Sequence, residues 1–179
     1  MAMDETSISR TPTVVRTWAP VGETPDLTLP QASAKERISA LAMLTSAGSV
    51  FLDAMPGSFT GARVLVNLVA LFETLPGRIV VLLDNASIHG TRKIKEWLAR
   101  PEVAARLEAV RFPSYAPDLN PVELLNSASK RRGLGNFAAE SLEALAARFR
   151  EAFKSPPETV KAYFRGALGT DFSACQKNA

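Results

Sequence analysis

The sequence predicts an α/β protein built on a mixed sheet with helices on its faces. Three observations carry this. Ile79 to Leu83 is an unbroken, largely β-branched apolar run, the pattern of a strand covered on both faces. Val64, Leu65, Leu68, Val69, Leu71 and Phe72 recur at three-to-four-residue spacing, which puts them on one side of an amphipathic helix. Strand-like segments come first and helices then alternate with strands, the order of an α/β mixed sheet.

The opening, Asp4 to Pro30, is rich in Thr, Val and Pro. It reads as short strands joined by turns, with Pro20 to Gly22 as a hairpin region. Ile38 to Leu44 and Val50 to Leu52 read as two antiparallel strands around a turn at Ser46 to Gly48, although the Ala-rich part also fits a helix. The amphipathic helix ends near Pro76-Gly77, two strong breakers. After the strand at Ile79 to Leu83, Thr91 to Ala99 is predicted helical and Leu107 to Phe112 a strand. Helices follow at Pro121 to about Arg132 and at Ser141 to Lys154, with a short last one at Pro157 to Ala167.

At 179 residues the chain fits one domain, and 46% hydrophobic residues suffice for a substantial core. Its longest apolar runs are far too short to cross a bilayer. The start, MAMDETS, lacks a basic stretch followed by an apolar one, so no secretion signal is expected. Cys175 is the single cysteine, which excludes an internal disulfide and fits a reducing cytoplasm. One cysteine and one histidine cannot build a structural zinc site. A bound metal would be a hard ion held by carboxylates. From Ser127 to Ala179 there are nine Lys/Arg against five Asp/Glu, while the remainder carries twelve against thirteen. A basic C-terminal third suits a polyanionic partner, and equally a solvated helical surface.

Three acids stand at informative places. Asp84 follows the strand Ile79 to Leu83, and functional groups gather at the carboxyl edge of such strands. It fits a turn or helix-cap residue as well, since Asp-Asn pairs favour those places. Glu123 lies in Pro117-Asp118-Leu119-Asn120-Pro121-Val122-Glu123. There Asn120 can be a helix N-cap, Pro121 the first helical residue and Glu123 the acid closing a capping box. The same first turn can also aim Glu123 at whatever faces the helix end. Asp4, near the chain start, carries little signal alone. Asp53 also ends an apolar run and reads as a hairpin residue. His89 reads as a hydrogen-bonded structural residue or a ligand, and Trp18 as a packing residue.

DETS near the start, RTWAPVGETP after it, VVLLDNASIH in the middle and PSYAPDLNPVELL followed by KRRGLGNF appear in that order. Over about residues 3 to 137 the chain resembles the DDE catalytic domain of bacterial insertion-sequence transposases in the mariner-like superfamily. The 38 residues between Asp84 and Glu123 suit the spacing between the second and third acids of such families. The resemblance implies a ribonuclease H-like fold, a five-stranded mixed sheet flanked by helices. It implies a catalytic domain over residues 1–137 and a C-terminal helical extension over 138–179.

It also implies that Asp4, Asp84 and Glu123 bind two Mg²⁺ ions, with Mn²⁺ as a substitute, for DNA strand cleavage and strand transfer. Two such ions can clamp one phosphodiester. Supporting roles fall to Asn85, which would orient a carboxylate, to His89, and to Asn120 and Pro121, which shape the loop before the third acid. Lys130, Arg131 and Arg132 would contact DNA phosphates, or else form a solvated face. The implied partners are transposon ends and target DNA, with homodimerisation or pairing with a full-length transposase. The implied location is cytoplasmic, on the nucleoid when DNA is bound.

The chain departs from the family pattern twice. Only Met1, Ala2 and Met3 precede Asp4, so a clipped first strand that holds Asp4 loosely is expected. No helix-turn-helix region precedes it, which suits a domain fragment, a second reading frame or a decayed copy. Where the family carries Trp three residues after the Glu, this chain has Asn126, so a gap and a polar group in need of a partner are expected. The alternative function is therefore an inactive or weakly active remnant that binds DNA or oligomerises as an inhibitor.

Overall fold

The computed structural model describes residues 1–27 and 36–169. Its centre is a five-stranded mixed sheet of β1 (Ala2–Ser9), β2 (Arg37–Leu44), β3 (Val50–Pro56), β4 (Ile79–Leu83) and β5 (Leu107–Arg111), in the order β3-β2-β1-β4-β5. β1, β2 and β3 form an antiparallel meander, and β4 and β5 join parallel to β1 and to each other. Six helices flank it: α1 (Gly61–Thr74), α2 (Arg92–Leu98), the single turn α3 (Pro101–Ala104), α4 (Pro121–Ser129), α5 (Leu142–Ala152) and α6 (Pro157–Leu168). This is the ribonuclease H-like arrangement expected from the sequence.

The sheet buries a core on each face. On one, Met3, Leu41, Val81 and Leu83 pack under Val64 and Leu68 of α1 and Ile94 and Trp97 of α2. On the other, Ala2, Ile8, Ile38 and Ala40 pack under Val122 and Leu125 of α4, Phe149 of α5 and Phe164 of α6. The C-terminal helices thus share the sheet's own core. Their ends follow local chemistry: the Ser141 hydroxyl accepts the Ala144 N–H to cap α5, and Gly169 closes α6 in the left-handed conformation at φ 65°.

The structure corrects four expectations. The first strand is not clipped. It runs eight residues and is laddered to β2 along its length, with Asp4 opposite Ala42, so neighbouring backbone holds Asp4 firmly. The segment after it is not a set of strands. Glu23 N–H closes a turn onto the Pro20 carbonyl, but no strand flanks that turn, and the only pairing of the described segment 10–27 outside β1 is a lone bridge from Thr13 to Gly135. Residues 28–30, part of that same expectation, lie outside the described residues, as do 170–179 of the expected extension. β4 alternates: Ile79, Val81 and Leu83 are buried while Val80 is 42% exposed, because no helix covers its second face there. The helix expected over Pro121 to about Arg132 is α-helical only to Ser129, and residues Lys130–Leu134 widen into a π-turn. Gly133 in that turn lies so close to α5 that a Cβ would stand 2.4 Å from the Ala152 Cβ. The wider turn and the absent side chain together let α5 dock.

Candidate active site

β1 and β4 are parallel neighbours with Ala2 opposite Leu82, so Asp4 inside β1 and Asp84 just past β4 reach the same edge of the sheet. β4 stops at Leu83 and the Asp84 carboxylate then accepts the Ala86 N–H at 2.9 Å, the Asx-type turn that its alternative reading called for. That bond occupies one oxygen and leaves the side chain partly exposed.

Glu123 reaches this edge from α4. Asn120 caps that helix, accepting the Val122 N–H at 3.1 Å. The capping box is not closed, however, because the Asn120 N–H goes to the Pro117 carbonyl at 2.9 Å. Glu123 is exposed and accepts no hydrogen bond among the described residues. The three acids line one cleft of about 380 Å³, together with Asn85, Tyr115 and Asn120.

Their electrostatics interlock. Asp4 is 6% exposed, and burial, then the charges of Glu123, Asp84 and Glu5, push its carboxyl up to about 8, against a smaller opposing effect of the Glu5 backbone N–H. Packed acids of this kind hold a proton or a cation. The donor set, carboxylate oxygens on a rigid strand, a strand end and a helix start, fits a hard divalent ion. Asn126 on α4, 3% exposed, donates its carboxamide N–H to Asp4 Oδ2 at 3.2 Å. The polar group expected to need a partner thus has one for its N–H, the cleft acid Asp4, while its Oδ1 has none among the described residues.

Glu5 is a site neighbour that the sequence reading missed. Alternation in β1 sends Asp4 toward α4 and Glu5 to the opposite face. There Glu5 Oε1 meets the buried His89 Nε2 at 2.6 Å. His89 Nδ1 comes within 2.7 Å of Asp84 Oδ1 but outside hydrogen-bond alignment, so that approach counts as an electrostatic contact. Burial lowers the His89 pKa, but the Glu5 hydrogen bond and the charges of Glu5 and Asp84 outweigh it and raise it above the usual value. Glu5, Asp84 and His89 are also the one group of three potential metal ligands among the described residues whose ligand atoms all lie within 4.8 Å of one another. Asp4, Asp84 and Glu123 do not form so tight a set. With each His89 nitrogen already 2.6 to 2.7 Å from a carboxylate oxygen, the imidazole is placed as a bridge between two acids.

The remaining expected residues divide. Asn85 does not orient a carboxylate: its amide donates to the Phe112 carbonyl at 2.9 Å and ties the ends of β4 and β5 together. Lys130, Arg131 and Arg132 are exposed on the π-turn, outside the cleft lining. Asp53 on β3 is held by Arg63 at 2.6 and 2.7 Å and by Asn67 at 2.7 Å, away from the cleft, which agrees with a structural residue. Trp18 is 99% exposed and packs on nothing among the described residues, so the packing role expected of it is not seen.

A family model described as DDE superfamily endonuclease matches residues 1–146. Among solved structures, the Mos1 strand transfer complex superposes with a TM-score of 0.71 at 20% identity, covering 94% of this chain and 51% of that one. The mariner Mos1 paired-end complex with Mg gives 0.68 at 21% identity, covering 95% and 51%. The catalytic domain of Mos1 mariner transposase gives 0.60 at 19% identity, covering 93% and 74%. The present chain spans about half the length of the longer Mos1 chains. No curated protein matches the sequence. Among the described residues, no helix is long and apolar enough to cross a membrane.

Proposed function

The chain belongs to the DDE superfamily endonucleases, and from that premise we propose that it is the catalytic domain of an insertion-sequence DNA transposase of bacterial type. In this reading it cuts DNA at transposon ends and joins the freed 3′-hydroxyl to target DNA. The catalytic unit spans residues 1–137, with a C-terminal extension over 138–179 whose described helices, α5 and α6, pack into the same core. The observation that carries the reading is that a strand, a strand end and a helix start bring Asp4, Asp84 and Glu123 to one cleft, where burial and the neighbouring charges raise the Asp4 carboxyl. Isolated structural acids have no reason to be gathered at such a cost; acids that share a cation do.

Asp4, Asp84 and Glu123 would hold divalent metal, Mg²⁺ or Mn²⁺. When bound, such ions activate a water or a 3′-hydroxyl as nucleophile and stabilise the leaving oxygen. The chain's own residues do the rest. The Ala86 N–H fixes one oxygen of Asp84, and His89, backed by Glu5, sets its electrostatic surroundings. Asn120 and Pro121 start α4 so that Glu123 faces the cleft. Lys130, Arg131 and Arg132 are exposed on the surface beyond α4, where DNA phosphates can be met, and the partners are transposon ends and target DNA. A second protomer, or a full-length transposase, would complete the assembly.

The test is Mg²⁺ and Mn²⁺ binding by calorimetry, with and without DNA, on the parent, Asp84→Asn and Glu123→Gln. Binding by the parent that is lost in both variants is expected, along with metal-dependent nicking of end-containing DNA that the variants lack. A folded parent that binds no metal even with DNA present would overturn the enzyme and leave an inactive DNA-binding remnant.

A further inference from the structure

Between β1 and α4 the core is less apolar than its packing requires. On β1, Asp4 and Thr6 point to the same side as Ala2 and Ile8, the side covered by Val122 and Leu125 of α4. On α4, Asn126 and Ser129 are buried one turn apart on the face that carries Val122 and Leu125. Four polar residues, each under 8% exposed, therefore share this interface: Asp4, Thr6, Asn126 and Ser129. Thr6 Oγ1, Asn126 Oδ1 and Ser129 Oγ have no hydrogen-bond partner among the described residues.

A buried amide with an orphaned oxygen costs stability, and an apolar side chain of similar volume would avoid that cost. The side-chain hydrogen bond of Asn126 goes to Asp4 Oδ2. What Asn126 supplies is thus directed at a site acid, not at the fold. Its chemistry suits that task. A lysine or arginine there would neutralise Asp4 and compete with a cation, whereas a neutral amide fixes the carboxylate's rotation and leaves its charge available.

We propose that Asn126 is a positioning residue for Asp4, its carboxamide holding one carboxylate oxygen from the buried face of α4 so that the acid presents a fixed edge to the cleft. This rests on the reading of Asp4 as a metal-binding acid.

The test compares the full chain with Asn126→Leu, which is close in volume but cannot donate, and with Glu123→Gln as the site control. Mn²⁺ affinity is followed by electron paramagnetic resonance and the melting temperature without metal. In Asn126→Leu the orphaned amide oxygen goes but Asp4 also loses its donor, so a positioning role predicts a chain that still folds, melts near the parent value and binds Mn²⁺ at least about tenfold more weakly, the effect typical of a lost supporting hydrogen bond. Unchanged Mn²⁺ affinity in Asn126→Leu, with binding lost in Glu123→Gln, would overturn the role of Asn126 and leave the metal site standing. Affinity unaffected by either variant would overturn both. A metal-free reading covers the case in which Asn126→Leu fails to fold. The Asn126 side-chain amide protons should exchange slowly by NMR and move when Asp4→Asn removes the acid; signals that do not move would overturn the proposal.

Discussion

His89 Nε2 lies 2.6 Å from Glu5 Oε1, a half-buried contact between residues 84 positions apart in sequence. The neighbouring strand residue, Asp4, faces the other side of the sheet, so the Asp-Glu pair serves both faces at once. Because the His89 pKa is raised, the charged imidazolium stabilises the fold fully below the unfolded-state value near 6.5. That stabilisation is lost as pH rises through the raised value. Glu5→Gln should therefore cost about 2 kcal/mol at pH 6, the scale of a charge-assisted hydrogen bond, and clearly less at pH 9. At the higher pH it also relieves repulsion on Asp4. Urea unfolding at the two pH values measures this, and an equal loss at both would mean that the pair is not ionic.

The Asp4 carboxyl acts with the same sign, although its shift comes from burial and like charges and not from an opposite partner. Raised from 3.8 to about 8, it binds a proton more readily in the folded chain than in the unfolded one. With chelator present, the stability it contributes is full below about pH 4 and is lost as pH climbs to about 8. Asp4→Asn, a neutral isostere, should flatten this decline and make the metal-free protein more stable than the parent at pH 8.5, by on the order of 3 kcal/mol after allowance for solvent relaxation. Thermal melts of both chains in chelator across this range decide it. Parallel profiles would show that Asp4 is not the buried acid responsible.

The strands β2 to β5, α1 and the strand-end and helix-start positions of Asp84 and Glu123 were legible because each rests on local pattern: a β-branched run, a helical period, an Asn-Pro cap. What local pattern could not show was partnership across the sheet. Glu5 is one more polar residue in a strand until His89 folds against it, and Asn126 reads as a damaged position until Asp4 appears 3.2 Å away. The Thr- and Val-rich stretch after β1 had strand composition but no strand beside it to complete a ladder, so composition misled there and Trp18 was left exposed. The π-turn at Lys130–Leu134 was hidden for a similar reason: it is set by how closely Gly133 meets Ala152, a tertiary contact.

Phe149 on α5 is fully buried against the sheet and stacks on Phe153 with ring centroids 4.7 Å apart. If the C-terminal helices were a separable extension, emptying this position would loosen them alone. Because they share the core with β1 and β2, Phe149→Ala should destabilise the whole domain by about 3–5 kcal/mol. Far-ultraviolet circular dichroism and tryptophan fluorescence should then report one coincident transition, Trp97 lying in the opposite core. Two separated transitions would mark α5 and α6 as an independent unit.

Lys130, Arg131 and Arg132 occupy an exposed turn directly after the helix that carries Glu123, and a strand of DNA reaching the cleft from that side would pass them. Arg131 Nε already donates to the Ser127 carbonyl at 3.3 Å, which holds its head near the helix end. Counterion release makes the consequence quantitative: each duplex phosphate contact contributes about 0.9 to the slope of log affinity against log salt. Replacing all three with Gln should lower that slope by up to about 2.7 and weaken binding to DNA of any sequence, while Mn²⁺ affinity without DNA stays at the parent value. Fluorescence anisotropy over a salt series checks this. An unchanged slope would return the three cations to an ordinary solvated surface and leave the DNA path to the cleft's own lining, which includes the fully exposed Tyr115.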